Sequence, residues 1–84
     1  MIKEYLKFYG DTKTEKNKQF SWRINSITDL PDRLKYWAKR VEIRAAWYVC
    51  VDGGETITNQ RIDMISWYND PEEDRQVILK DESY

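Results

Sequence analysis

Only one stretch of this chain carries a helical stripe, and the segments on either side of it alternate. In "SITDLPDRLKYWAKRVEIR", Leu30, Leu34, Trp37, Ala38 and Val41 recur at three- and four-residue steps, so they line one face of an α-helix. Asp29 stands where an N-cap is wanted, Pro31 suits the first turn, and Asp32 lies at the positive end of the helix dipole. The pattern predicts a helix over residues 30–42. A lone amphipathic helix must bury its stripe against something, and the rest of the chain offers strands. The expected fold class is therefore α+β: one antiparallel sheet of four to five strands with the helix covering one face. The expected order is β-β-α-β-β-β, in a single domain spanning residues 1–84.

The strands are read from period-two alternation. "IKEYLKFY" puts Ile2, Leu6 and Phe8 on one face and Lys3, Tyr5, Lys7 and Tyr9 on the other. Glu4 interrupts the apolar row, which places the first residues near a sheet edge. "QFSWRIN" turns Phe20, Trp22 and Ile24 inward and Ser21 and Arg23 outward, so these two strands are expected to pair. Between them, residues 10–18 are polar, lysine-rich and aperiodic, which predicts a mobile hairpin loop.

After the helix, "IRAAWYVCV" is apolar on both faces. Ala45, Trp47, Val49 and Val51 are expected to face inward, opposite Ala46, Tyr48 and Cys50. "DGGE" follows, and an Asp-Gly pair between strand-like runs is a strong hairpin signal, because the tight turn needs a positive φ. In "RIDMISWYN", Ile62, Ile65 and Tyr68 lie three apart, as in a short helix, but the β-branched and aromatic content favours a strand. "DPEED" reads as a charged turn, "RQVILK" as a last strand with Val77 and Leu79 on one face, and residues 81–84 as a loose tail.

A chain of 84 residues buries only roughly 60% of the surface its unfolded form exposes, so its core must be rich per residue. The 14% of aromatic residues supply that richness. The four tryptophans fall in four different elements, and Trp22, Trp37 and Trp47 are expected to meet in a common buried cluster, with an aromatic ligand cage as the alternative.

One cysteine cannot form an internal disulfide, and no run approaches the ~20 apolar residues that cross a bilayer. The N-terminal "MIKEYLKFYG" has no signal-peptide apolar region. A reducing, cytoplasmic setting away from membranes is expected. The net charge is −1, yet residues 1–50 carry eleven Lys/Arg against six Asp/Glu, and residues 51–84 carry three against nine. This asymmetry excludes a uniformly basic nucleic-acid binder and a uniformly acidic mimic of one.

Histidine is absent, which removes Ser-His and Cys-His nucleophile pairs and most zinc sites. Cys50, near a strand end, is expected to be an inert, half-buried thiol. "VDGGET" lacks the lysine and the following helix of a phosphate-binding loop. The acidic residues Asp70, Glu72, Glu73 and Asp74 lack the spacing of a calcium loop and read as a solvated turn. The chain is also short for a cleft of the usual ~300–1,000 Å³. No cofactor and no enzymatic activity are expected, a hydrolase or nuclease built on the acidic residues being the third reading.

What remains is surface. Lys3, Tyr5, Lys7 and Tyr9 on the first strand, joined by Arg23 and by the loop lysines Lys13, Lys16 and Lys18, interleave cations with aromatics. Such a face can hold a polyanion backbone and stack its bases. The structural alternative is that Tyr favours strands and Lys protects edges. Arg33, Tyr36 and Arg40 flank the helix stripe and suit either a protein partner or packing over the sheet rim.

The function expected first is that of a small non-enzymatic binding or accessory protein, such as an inhibitor or mobile-element accessory protein, that takes another protein as partner. The acidic residues 70–74 weigh toward that reading, because they would repel a long polyanion. The alternative is a single-stranded nucleic-acid-binding module that uses the Lys/Tyr face.

Overall fold

The computed structural model describes residues 1–80. The tail expected at 81–84 lies outside the described residues. Five strands form one antiparallel sheet in the order β2-β1-β3-β4-β5: β1 is Ile2–Asp11, β2 Lys18–Ile24, β3 Glu42–Asp52, β4 Glu55–Ile62 and β5 Leu79–Lys80. The main helix, α1, spans Leu30–Ala38, and a second short helix, α2, spans Met64–Asn69. The architecture is the α+β class expected, with α2 added.

Strand β1 lies between β2 and β3, so those two run parallel to each other with β1 between them. Parallel strands cannot be joined by a tight turn. Helix α1 makes the crossover, and in doing so lays Leu30 and Leu34 onto the sheet. Position β1 is thus internal, although Ile2 and Lys3 pair with β3 alone, because β2 reaches only as far as Glu4.

Helix α1 is shorter than the 30–42 expected. It ends at Ala38, where the N–H groups of Arg40 and Val41 both donate to the Trp37 carbonyl. Glu42 is already in β3, paired with Asp11, so strand pairing takes the residues that the helical stripe alone would have continued through. Asp29 holds the N-cap position but makes no side-chain cap bond; Ser26 caps the preceding helical turn, its hydroxyl accepting from the Thr28 N–H at 3.2 Å.

The first hairpin loop is reduced to residues 12–17 and is tied by its own hydrogen bonds. Asp11 accepts from the Asn17 N–H at 2.9 Å, and the Thr12 hydroxyl accepts from the Glu15 N–H at 3.0 Å. Asp11 also holds Arg44 at 2.6 Å, and that hydrogen bond is the main reason its carboxyl lies below the usual range. The second hairpin is as expected. Asp52 pairs with Glu55, leaving Gly53 and Gly54 as the whole turn with φ of 57° and 86°.

Residues 61–69 divide. Arg61 and Ile62 finish β4, but the strand expected beyond them is helix α2. The reason is a cap at Asp63, whose carboxylate accepts from the Ser66 N–H at 3.1 Å and the Ser66 hydroxyl at 3.0 Å. Helical spacing then puts Met64 and Trp67 together in the core. Arg75 roofs Trp67, its guanidinium 4.4 Å from the ring centre.

The core lies between the helices and one face of the sheet: Leu6, Phe8, Ile24, Ala46, Tyr48, Cys50 and Ile62 from the strands meet Leu30, Leu34, Met64 and Trp67. This corrects the assignment of β3. Because Leu6 pairs with Tyr48 and Phe8 with Ala46, the row Ala46, Tyr48, Cys50 is inward and Ala45, Trp47, Val49, Val51 is outward. The tryptophan cluster is corrected with it. Trp37 touches Phe8, Phe20, Trp22 and Tyr36, but Trp22 is 39% exposed and Trp47 is on the opposite face. The tryptophan at the centre is Trp67, 1% exposed.

Cys50 is buried, its thiol 3.2 Å from the Tyr48 hydroxyl. That hydroxyl donates to the Glu4 carboxylate. Burial, with these two neighbours, pushes the Tyr48 phenol far above its ordinary value. The polar break at Glu4 is therefore an inward carboxylate with a partner.

Candidate functional site

Among the described residues every helix packs on one side of the sheet, leaving the other side open. Register places its rows. Strand β2 contributes Gln19, Ser21 and Arg23, each opposite Tyr9, Lys7 and Tyr5 of β1 in turn. Lys7 is opposite Trp47 of β3, and Trp47 opposite Arg61 of β4. Tyr5 is opposite Val49, which is opposite Asn59, and Lys3 is opposite Val51. None of these positions is an Asp or Glu; the β1 row then ends at Asp11, opposite Glu42 of β3.

The aromatic rings are held by the sheet and by each other. Tyr9 and Trp47 have ring centres 5.6 Å apart and planes tilted by 35°. The Lys7 ammonium lies 5.7 Å from the centre of Tyr5, and the Arg61 guanidinium 5.9 Å from that of Trp47. Val49 and Ala45, beneath them, are only 4% and 2% exposed although no helix covers this face. The Tyr and Trp rings and the lysine stems do the covering, and they stay half in solvent themselves.

Between these side chains lies a hollow of about 450 Å³, lined by Lys7, Tyr9, Ser21, Trp47, Val49 and Asn59 among others. A chain this short is expected to leave little room for a cleft of ~300–1,000 Å³, yet a hollow of that size forms on the open sheet face. The side-chain carbonyl oxygen of Asn59, which also lines it, is buried and has no hydrogen-bond partner among the described residues.

The eight residues singled out from sequence divide into two groups. Lys3, Tyr5, Lys7, Tyr9 and Arg23 share the open face. Arg33, Tyr36 and Arg40 belong to α1 and the turn after it, on the helix side of the sheet. Arg33 lies 5.8 Å from the Trp22 ring centre, and Arg40 stacks 3.9 Å from that of Tyr36 while donating to its carbonyl. Lys18, expected in the loop, is the first residue of β2 and leans on Phe20, also toward the helix side.

The structure adds Trp47, Asn59 and Arg61 to the open face. Trp47 was legible as an aromatic strand residue, but "AAWYVCV" is apolar on both rows, and alternation alone gives no sign of which row a helix will cover. The acidic segment also falls elsewhere: Glu72 adjoins Lys35, Lys39 and Tyr68 around a hollow on the helix side. Among the described residues no three Asp, Glu or Cys side chains are grouped to hold a metal ion, and no helix is long and apolar enough to cross a membrane. Comparison with protein-family models, curated proteins and solved structures gives no significant match to this chain.

Proposed function

We propose that this protein is a non-enzymatic binding module that works through the open sheet face and takes a single-stranded nucleic acid as ligand. The observation that carries the reading is the composition of that face. Tyr5, Tyr9 and Trp47 lie among Lys3, Lys7, Arg23 and Arg61, and the carboxylates of these rows, Asp11 and Glu42, stand opposite each other at one end, where Asp11 is paired with Arg44 at 2.6 Å. Half-exposed rings on a rigid sheet accept bases by stacking, which tolerates sequence because every base has a π-face. The cations follow the phosphates, and the exposed amide of Gln19 supplies polar contacts to base edges. The acidic turn favours a protein partner only if it borders this face. Glu72 of that turn instead lines a hollow with Lys35 and Lys39, on the helix side.

The reading is tested by titrating labelled single- and double-stranded oligonucleotides over a range of salt. Binding to single strands is expected, with affinity falling as salt rises, because neutralised phosphates release counterions. Tyr9→Ala and Tyr5→Ala are each expected to lose about 1–3 kcal/mol of binding from lost stacking. Lys7→Ala should flatten the salt dependence. Absence of single-strand binding at low salt, or binding indifferent to both tyrosines, overturns the proposal.

A further inference from the structure

The two edges of the sheet are built differently. On one side, β4 carries a bulge between its pairs with Cys50 and Val51, and β5 covers its last residues, Arg61 and Ile62. A bulge and a short capping strand are devices that discourage edge-to-edge pairing. On the other side, β2 pairs with β1 through all seven residues, Lys18–Ile24, with no register shift. It contains no proline, no glycine and no carboxylate, and its two cations, Lys18 and Arg23, lie toward its ends. Among the described residues no strand neighbours its outer edge, so half of its N–H and C=O groups point away from the sheet. Trp22, in its helix-side row, remains 39% exposed even though it meets Trp37 edge-on at 5.3 Å.

We infer that β2 is a docking edge for a second copy of this chain, strand against strand and antiparallel, about a two-fold axis through Ser21. The sequence of the strand is self-complementary in that register. Residues facing each other across an antiparallel pair project to the same side, so only registers that match odd with odd and even with even positions are allowed. Of these, the one centred on Ser21 pairs the whole strand. It sets Phe20 of each copy opposite Trp22 of the other, an aromatic cross-strand pair on the helix side. Gln19 faces Arg23, Lys18 faces Ile24, and Ser21 faces itself. No like charges are opposed. Shifting the strands by two residues leaves part of the edge unpaired.

The two-fold axis stands perpendicular to the sheet, so open face continues into open face across ten strands. The Tyr5–Lys7–Tyr9 rows of the two copies then lie about 14 Å apart, three strand spacings of ~4.8 Å. Each copy extends the basic, aromatic surface of the other. The pairing rests on the edge alone and stands whether or not that surface binds nucleic acid.

The test is the molecular mass of the protein by sedimentation over a concentration series, without nucleic acid. The wild-type chain is expected to approach twice the monomer mass as concentration rises. Ser21→Lys and Ser21→Glu each place like charges face to face on the axis and are expected to stay monomeric, while an equimolar mixture of the two regains the doubled mass. Ser21 is exposed, and circular dichroism checks that each variant is folded. Hydrogen exchange on the wild type gives a second readout that needs no variant: β2 amides are expected to exchange more slowly as concentration rises. A wild type that is monomeric throughout overturns the inference. So do folded variants that still dimerise, a mixture that stays monomeric, and β2 exchange independent of concentration.

Discussion

The two faces of this sheet are built from alternate residues of the same strands, yet they are finished in opposite ways. On the helix side Leu6, Phe8, Ala46 and Ile62 are each at most 2% exposed, closed over by Leu30, Leu34 and Trp67. One residue along each strand, Lys7, Tyr9, Trp47 and Arg61 stand on the open side, where no helix lies among the described residues. Even there, Val49 and Ala45 are dry. The difference lies in what does the drying: on one face a second layer of structure, on the other the aromatic and lysine side chains of the sheet itself. Rings that shield a valine and also face water are already ordered, so a stacking ligand meets them at little further entropic cost. A single face can therefore stabilise the sheet and serve as a binding surface.

The contrast breaks first, and most visibly, at the tryptophans. Trp67→Ala removes the largest fully buried side chain and is expected to cost about 3–5 kcal/mol. Against a total stability of roughly 5–15 kcal/mol, that is enough to leave a domain of this size partly unfolded. Urea denaturation followed by circular dichroism measures it. Should Trp47→Ala cost as much as Trp67→Ala, the open face is covered in solution and the contrast fails.

Gly10→Ala comes next. A Cβ there would sit 2.2 Å from the Glu42 carbonyl oxygen and 2.8 Å from a methyl of Val41, where β1 shifts register against β3. Backbone must move, and about 1–3 kcal/mol of destabilisation is expected. A neutral Gly10→Ala in the same denaturation assay would mean that this close approach of β1 and β3 is not maintained.

On the open face the effects are smaller in stability and larger in binding. Trp47→Ala is expected to cost about 1 kcal/mol of folding stability, the size typical of a point substitution. It should also lose about 1–3 kcal/mol of single-strand affinity, read by titration. A folded Trp47→Ala that binds single strands as tightly as wild type would indicate a structural residue alone.

The smallest effect sharpens the helix side. Hydrogen bonds from Ser66, aided by Lys80 at 3.3 Å, hold the Asp63 carboxyl below its ordinary range. A carboxylate whose pKa is lower in the folded than in the unfolded chain contributes stability above its unfolded pKa, and that contribution is lost as pH falls through the folded value. The gap in urea midpoint between wild type and Asp63→Asn is therefore expected to be present at neutral pH and to close as pH drops below about 4. A gap constant into strong acid would remove Asp63 as the cap of α2.

Local chemistry made part of this legible in the sequence. Leu30 and Leu34 marked the helix, alternation marked β1 and β2, and Asp-Gly marked a turn whose two glycines do have positive φ. Lys3, Tyr5, Lys7, Tyr9 and Arg23 were placed on one face because a strand's period of two is a property of its own backbone. Each of these inferences uses residues within a few positions of one another.

What only the tertiary structure decided depends on partners far away in the chain. Which row of β3 faces the helices follows from Tyr48 lying opposite Leu6, forty-two positions earlier; both rows are apolar, and a one-residue change in register would exchange them. Helix α1 stops at Ala38 because Glu42 pairs with Asp11. Met64 and Trp67 become a helix face because the core of the sheet lies under them and Asp63 caps the turn. Trp47, Asn59 and Arg61 join Tyr5 and Lys7 only once β3 and β4 are laid beside β1. Pattern along the chain selects the elements, but the burial of either face is decided by what packs against it, and that is a contact no local window contains.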